Sequence, residues 1–203
     1  MEFVKEFATF LYQKGIIRFG DFTLASGKKS SYYVDLRIVP SFPHQFRHMI
    51  KYLQNTISEE IGLDNFDTIA SVPTGGLVIA SALALETVKP LVYVRSQAKS
   101  YGTGKLVEGI VTEGMKVLVV DDVATTGGSV VNGIKELRKA GAIISDAYVI
   151  VNRLDGAQDS LQQEKVKLHH ILDILNLAKI LAEAKLIDGS VLDMVQKQVS
   201  ARP

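Results

Sequence analysis

Between Asp67 and Ile174 the chain repeats one pattern, a short and continuously apolar run followed by a turn and then a helical stretch. TIASV leads into Pro73-Thr74-Gly75-Gly76 and a small-residue helix to Leu85; LVYV leads into a polar loop; KVLVV leads into Asp121-Asp122 and a helix around Val130 to Ala140; IISDAYVIV follows. Strands that are apolar at every position are buried on both faces, and strands separated by helices run parallel. The pattern predicts an α/β fold with a mostly parallel central sheet flanked by helices, and Lys167 to Ile174 reads as one more strand. In such sheets ligands sit beyond the carboxyl ends of the strands, where helix amino termini point their unpaired N–H groups outward. The loops after Val72, Val94, Val120 and Val151 are therefore the places to look for chemistry.

The flanking segments read as cover for this sheet. Phe3, Phe7, Phe10 and Leu11 recur at helical spacing up to Gly15, as in a core-packed amphipathic helix. Residues 22–37, FTLASGKKSSYYVDLR, predict two short strands around a Ser-Gly-Lys-Lys turn. Pro40 and Pro43 break the chain before a helix from about His44 to Ile61, with Phe46, Ile50, Leu53 and Ile57 on one side. Asn176 to Gln198 supplies two closing helices around Asp188-Gly189. No internal repeat or linker interrupts the 203 residues, so a single domain is expected.

Composition narrows the function classes. Lys and Arg number 23 against 22 Asp and Glu, so no global positive field gathers nucleic acid or anionic membrane, and any bound anion needs a local site. Cysteine is absent, which excludes disulfides, thiolate-held metal and a Cys nucleophile, and fits a cytoplasmic address. Charges among the first apolar residues argue against a secretory signal, and no apolar run reaches the ~18 residues of a membrane span. A soluble protein is expected.

The strongest local signal is Val117-Leu118-Val119-Val120-Asp121-Asp122-Val123-Ala124-Thr125-Thr126-Gly127-Gly128-Ser129. A buried strand delivers two adjacent carboxylates to its end, and a run of small and hydroxylated residues then opens a helix. Such a turn can enclose a phosphate, because the glycines permit close approach and the helix dipole favours negative charge. Carboxylates are poor phosphate ligands but good acceptors for the vicinal hydroxyls of a ribose, or partners for a positively charged centre. One segment thus suits a ribose 5-phosphate. A P-loop NTPase would need GxxxxGK[ST], which is missing, and a dinucleotide fold would need a third glycine where Val107 stands after Gly102 and Gly104.

Residues 117–129 resemble the phosphoribosyl pyrophosphate motif of the type I phosphoribosyltransferases. Within that family, FTLASGKKSSYYVDLR, VRSQAKSYGTGKLVEG and Val151-Asn152-Arg153 resemble the orotate-specific enzymes. The resemblance implies a core over about 41–151 under a hood from about 1–40 and 152–203. It implies that Val123, Ala124, Thr125, Thr126, Gly127, Gly128 and Ser129 hold the 5-phosphate, that Asp121 and Asp122 sit at the ribose hydroxyls, and that Arg95, Lys99, Tyr101, Thr74 and Gly75 meet the pyrophosphate. Lys99, Asp121 and Asp122 would be the catalytic set. Thr125, Arg153, Lys28, Tyr32 and Tyr33 would receive orotate, Arg153 taking its carboxylate. Mg2+ is the implied cofactor, held mainly by the substrate rather than by side chains. A homodimer is implied, with the loop 96–108 reaching into the partner's site. A purine-specific relative and a nucleotide-sensing, nucleic-acid-binding regulator are the rival readings.

Several residues carry a bland alternative. Arg153 could form only a strand-end salt bridge with Asp155, and the cations of the 96–108 loop could be merely solvated. Many relatives carry Lys, His and Lys where this chain has Ser96, Tyr101 and Ala25; Tyr101 is assigned no proton transfer, because a phenol of pKa about 10 is poorly matched to neutral pH. Lys105 is the candidate replacement for the missing cation. His169 and His170, adjacent in a strand, should face opposite ways and so make an unsuitable metal pair. His44 and His48 read as a solvated helix face.

Overall fold

A computed structural model describes residues 2–23, 27, 29–95 and 106–201. The helix α1 (Glu2–Gln13) precedes an antiparallel hairpin of β1 (Ile17–Thr23) and β2 (Lys29–Val34), a 3-10 turn (Leu36–Ser41) and α2 (Pro43–Glu60). Then come β3 (Thr68–Ser71), α3 (Gly75–Thr87), β4 (Leu91–Val94), β5 (Val107–Glu108), β6 (Lys116–Ala124), α4 (Gly128–Lys139) and β7 (Ile143–Asn152). The chain continues through α5 (Ala157–Gln163), β8 (Lys167–Asp173), α6 (Ile174–Glu183) and α7 (Gly189–Ser200).

The six-stranded sheet has the order β5-β4-β3-β6-β7-β8, parallel except for β5 at one edge. The expected mostly parallel sheet flanked by helices is what is observed. From β3 the chain steps outward to β4, then returns to the other side of β3 to lay down β6 and proceeds to β7. The helices of the two branches cover opposite faces. Ile79 and Leu83 of α3 pack with α1, α2, α6 and Leu118, Val120 and Ile150 of the sheet, whereas Val130, Ile134 and Leu137 of α4 pack with Val119 and Val149. The loops after β3 and β6 consequently leave the sheet in opposite directions, which opens a crevice between them.

Three elements differ from the sequence reading. The hairpin begins at Ile17 rather than Phe22, since Ile16 and Ile17 are themselves core residues and extend the strand back to the end of α1. β6 continues through Asp121 and Asp122 to Ala124, paired with β7 as Asp121↔Val149 and Ala124↔Asn152, so the two carboxylates lie within the strand rather than beyond it. The short α5 is additional; Ala157 and Leu161, buried against α4, order it. β8 completes the sheet, although it lies in the 152–203 segment.

At the carboxyl end of the sheet the chain's two ends meet. The Gln198 Oε1 of α7 accepts from the Ser31 backbone N–H and Oγ, both at 2.6 Å, and the buried Tyr32 hydroxyl donates to the Arg153 carbonyl at 2.9 Å. At the opposite end, His169 is buried with Nδ1 3.0 Å from Glu60 and Nε2 2.7 Å from Asp146, while its ring stacks on Tyr148. His170 lies instead near Asp173 at 3.8 Å, so the two histidines do diverge. His169 is a stitch between α2, β7 and β8. Replacing it by Phe keeps the stack and removes both polar bonds, and denaturant unfolding should report a loss of about 1–3 kcal/mol, with catalytic parameters measured below the transition unchanged.

Candidate active site

Two helices begin at the crevice without side-chain caps. Helix α3 starts after Thr74, whose peptide bond to Pro73 is cis, and α4 starts after Gly127, which has φ +80°. Each leaves first-turn N–H groups available to an anion. Gly127 is required where it stands: besides its positive φ, a Cβ there would come within 3.0 Å of Leu161 and 3.2 Å of Ala157. The loop from β6 into α4 is further held by β7 and α5, since Arg153 N–H donates to the Ala124 carbonyl at 2.9 Å and Ala157 N–H to the Thr125 carbonyl at 3.1 Å. This fixes the 124–128 turn from two sides, as a rigid phosphate cradle needs.

Asp121 and Asp122 stand between the two helix termini. Asp122 lies against Gly75 and Asp121 against Gly76, closely enough that neither glycine has room for a Cβ. Ser71 beside them is buried and donates to the Val120 carbonyl at 2.7 Å. Asp121 is 8% exposed and accepts the Asp122 N–H at 2.9 Å. Burial, reinforced by the neighbouring Asp122 charge, raises the Asp121 carboxyl far above the ordinary carboxylate range. Two adjacent carboxyls so placed resist ionising together. A vicinal diol, each hydroxyl both donor and acceptor, matches such a pair.

Thr74, Gly75, Asp122, Val123, Thr125 and Arg153 line one cleft of about 280 Å³, bringing together residues from the ends of three strands, β3, β6 and β7. Arg153 is 4% exposed; its Nε lies 3.0 Å from Asp155, its Nη2 donates to Ser30 Oγ at 3.2 Å, and its guanidinium lies 4.9 Å above the Tyr32 ring. The pairing with Asp155 raised as the bland alternative is thus present, and it coexists with a place in the cleft. Tyr32 is fully enclosed and supports Arg153 from beneath, whereas Tyr33 is half-buried between Phe22 and Arg18. Arg95 is not brought to this cleft. It pairs with Glu108 at 3.3 Å and lines, with Ser129, a separate depression over α4. Lys28, Lys99, Tyr101, Ser96, Ala25 and Lys105 lie outside the described residues. Asp35 and Arg37, which line the cleft, were not singled out from the sequence, although an Asp-x-Arg directly after an aromatic strand was there to be read.

A family profile described as a phosphoribosyl transferase domain matches residues 42–179. The orotate phosphoribosyltransferase of Cenarchaeum symbiosum is 54% identical over 196 residues, covering 97% of this chain and 98% of that one. The chain belongs to the orotate phosphoribosyltransferase family. Among solved structures, the orotate phosphoribosyltransferase from Aeropyrum pernix matches with a TM-score of 0.73 and 36% identity over 88% of this chain and 99% of that one. The Leishmania donovani UMP synthase matches with a TM-score of 0.84 and 30% identity, covering 97% of this chain and 42% of that longer one. Among the described residues no helix is long and apolar enough to cross a membrane.

Asp121 has a pKa raised on folding, so its protonated form favours the folded state, and that contribution fades as pH rises from the ordinary Asp value towards the raised one. Asp121→Asn keeps the acceptor for the Asp122 N–H but cannot ionise. Thermal melts of wild type and variant should therefore diverge with increasing pH, the variant being more stable by about 1–3 kcal/mol at pH 8 and near parity at pH 4. Parallel curves across that range would show that Asp121 ionises freely in the folded protein.

Proposed function

We propose that this chain transfers the phosphoribosyl group of phosphoribosyl pyrophosphate to orotate, giving orotidine 5′-monophosphate and pyrophosphate, a step of pyrimidine nucleotide synthesis. The observation that carries the reading is the carboxyl pair of Asp121 and Asp122 between the uncapped termini of α3 and α4, in a chain whose relatives bear that enzyme's name. Residues 123–129 take the 5-phosphate at the α4 terminus, the Asp pair takes the ribose hydroxyls, and Thr74 and Gly75 take the pyrophosphate at the α3 terminus. Arg95, Lys99 and Tyr101 join the pyrophosphate when the 96–108 loop engages. Thr125, Arg153, Lys28 and Tyr33 receive orotate, with Tyr32 acting through Arg153.

In this reading orotate N1 attacks the anomeric carbon as the bond to pyrophosphate oxygen breaks, through a ribosyl cation-like transition state with inversion. The chain's part is chiefly positioning and charge. The Asp121 and Asp122 carboxyls face the ribose hydroxyls and its electron-poor ring, and Lys99 meets charge growing on the leaving group. Among the described residues no cluster of three carboxylate or histidine side chains could hold a metal by itself, so magnesium would be held mainly by the substrate's phosphates, and when bound it would neutralise leaving-group charge. The hood, about 1–40 and the parts of 152–203 outside β8, would exclude water above the core. The working form is a cytoplasmic homodimer in which the 96–108 loop serves the partner's site.

Pyrophosphate release measured with orotate, uracil, adenine, hypoxanthine and guanine should be confined to orotate; a preference for any purine, or nucleic-acid binding without turnover, would replace this reading. Within it, Arg153→Ala should lower kcat/KM for orotate by about 10 to 150-fold and leave phosphoribosyl pyrophosphate affinity nearly unchanged, because a desolvated carboxylate loses its fixed partner. Arg153→Lys should recover only part, charge returning without the planar fork. Mixing a Lys99→Ala protein with an Asp121→Asn, Asp122→Asn double variant should restore activity above either alone if the loop acts across a dimer, and give no gain if each chain is self-sufficient.

A further inference from the structure

Resting on the reading above, we infer that Arg37, held by Asp35, is a further substrate-binding residue that contacts the diphosphate of phosphoribosyl pyrophosphate.

β2 ends at Val34, and the 3-10 turn that follows lifts Asp35 and Arg37 onto the rim of the cleft. The Arg37 Nε lies 2.6 Å from Asp35 Oδ1 and its Nη2 lies 2.8 Å from Asp35 Oδ2, a two-bond fork. The Asp35 carboxylate also accepts the Arg37 backbone N–H at 3.3 Å, so one side chain fixes both ends of the arginine. Nη2 also donates to the Tyr33 hydroxyl at 3.4 Å, and the fork with Asp35 leaves Nη1 on the side away from that carboxylate. Arg37 is 59% exposed at its side chain, whereas Arg153, the other described cation lining the cleft, is enclosed among Asp155, Ser30 and Tyr32.

A surface ion pair between residues two apart contributes little to stability, so stability alone gives weak reason to hold an arginine by a bidentate fork at this rim. Preorganisation does give one: a guanidinium already locked loses less freedom when it grips an anion. The position selects which anion. Arg37 shares the cleft with Thr74 and Gly75 at the start of α3, and it lies in the field of the Asp122 carboxylate. A ribose seated on the Asp pair with its 5-phosphate at α4 would direct its anomeric substituent towards α3 and Arg37. Arg95 does not reach this cleft, so among the described residues Arg37 is its exposed cation. Asp35 is then a positioning residue.

The test is calorimetric titration of phosphoribosyl pyrophosphate and of pyrophosphate, each with magnesium, into wild type, Arg37→Ala, Arg37→Gln, Asp35→Asn and the Arg37→Ala, Asp35→Asn double variant, alongside steady-state kinetics. Both Arg37 variants should weaken phosphoribosyl pyrophosphate and pyrophosphate binding by about 10 to 150-fold while KM for orotate stays within about twofold. Asp35→Asn should weaken binding by about 3 to 10-fold in the wild-type background and add nothing to Arg37→Ala, because it acts through that arginine. Unchanged affinity in both Arg37 variants, a loss confined to orotate, or an Asp35→Asn effect that persists without Arg37 would each overturn the inference, leaving a surface ion pair, an orotate contact or a purely structural Asp35. Absence of orotate-dependent turnover in the wild type would remove the functional reading instead, and the binding titrations would still decide Arg37.

Discussion

Everything at the carboxyl end of the sheet depends on how closely β6 approaches the amino terminus of α3. Two carboxyl side chains on adjacent residues, partly removed from water, repel each other and lose solvation. Here they are tolerated because Gly75 and Gly76 present no Cβ, so Asp121 and Asp122 can lie against the positive end of a 13-residue helix. The residual conflict shows in the Asp121 carboxyl, which burial and the neighbouring Asp122 push well above the ordinary carboxylate range. A site that is electrostatically unfavourable when empty is poised for a ligand that brings hydroxyls and cationic character, and it sits where the order of the sheet leaves a crevice.

The remainder of the fold holds that crevice open and roofed. α3 and α4 must lie on opposite faces for their termini to face each other across it, and this follows from the chain reversing direction between β4 and β6. The roof is joined by few but buried bonds: Tyr32 to the Arg153 carbonyl, Ser31 to Gln198, and the guanidinium of Arg153 over the Tyr32 ring. A side chain that closes the roof and a side chain that lines the cleft are thus the same arginine. The opposite end of the sheet is secured separately by Glu60, His169 and Asp146, so folding and chemistry are served by different polar clusters at the two ends of the strands.

Arginine appears in three roles that the sequence renders alike. Arg153 is enclosed and neutralised by Asp155, Arg37 is exposed and locked by Asp35, and Arg95 is turned to another face with Glu108. Each has a carboxylate partner at 2.6–3.3 Å, yet their exposure and the surfaces they line differ. Burial, rather than pairing, separates an arginine that orients a roof from one that can meet a ligand.

What the sequence determined by itself was the type of sheet and the chemistry of one segment. Apolar runs of four or five residues between helices can be buried only in a parallel sheet covered on both faces, and Asp-Asp before Thr-Thr-Gly-Gly encodes a carboxyl pair and a phosphate turn in consecutive residues, so neither needed the fold to be recognised. Strand ends were less legible: β6 extends through Asp121 and Asp122 because β7 continues to pair with it, and the pairing partner is not visible locally. The roles of Gly75 and Gly76, of Tyr32 beneath Arg153, and of Arg37 at the rim were decided only by the tertiary structure. They depend on residues between about 45 and 120 positions apart in the chain being brought to one end of one sheet. Local composition fixes which groups are available; only packing fixes which of them face each other.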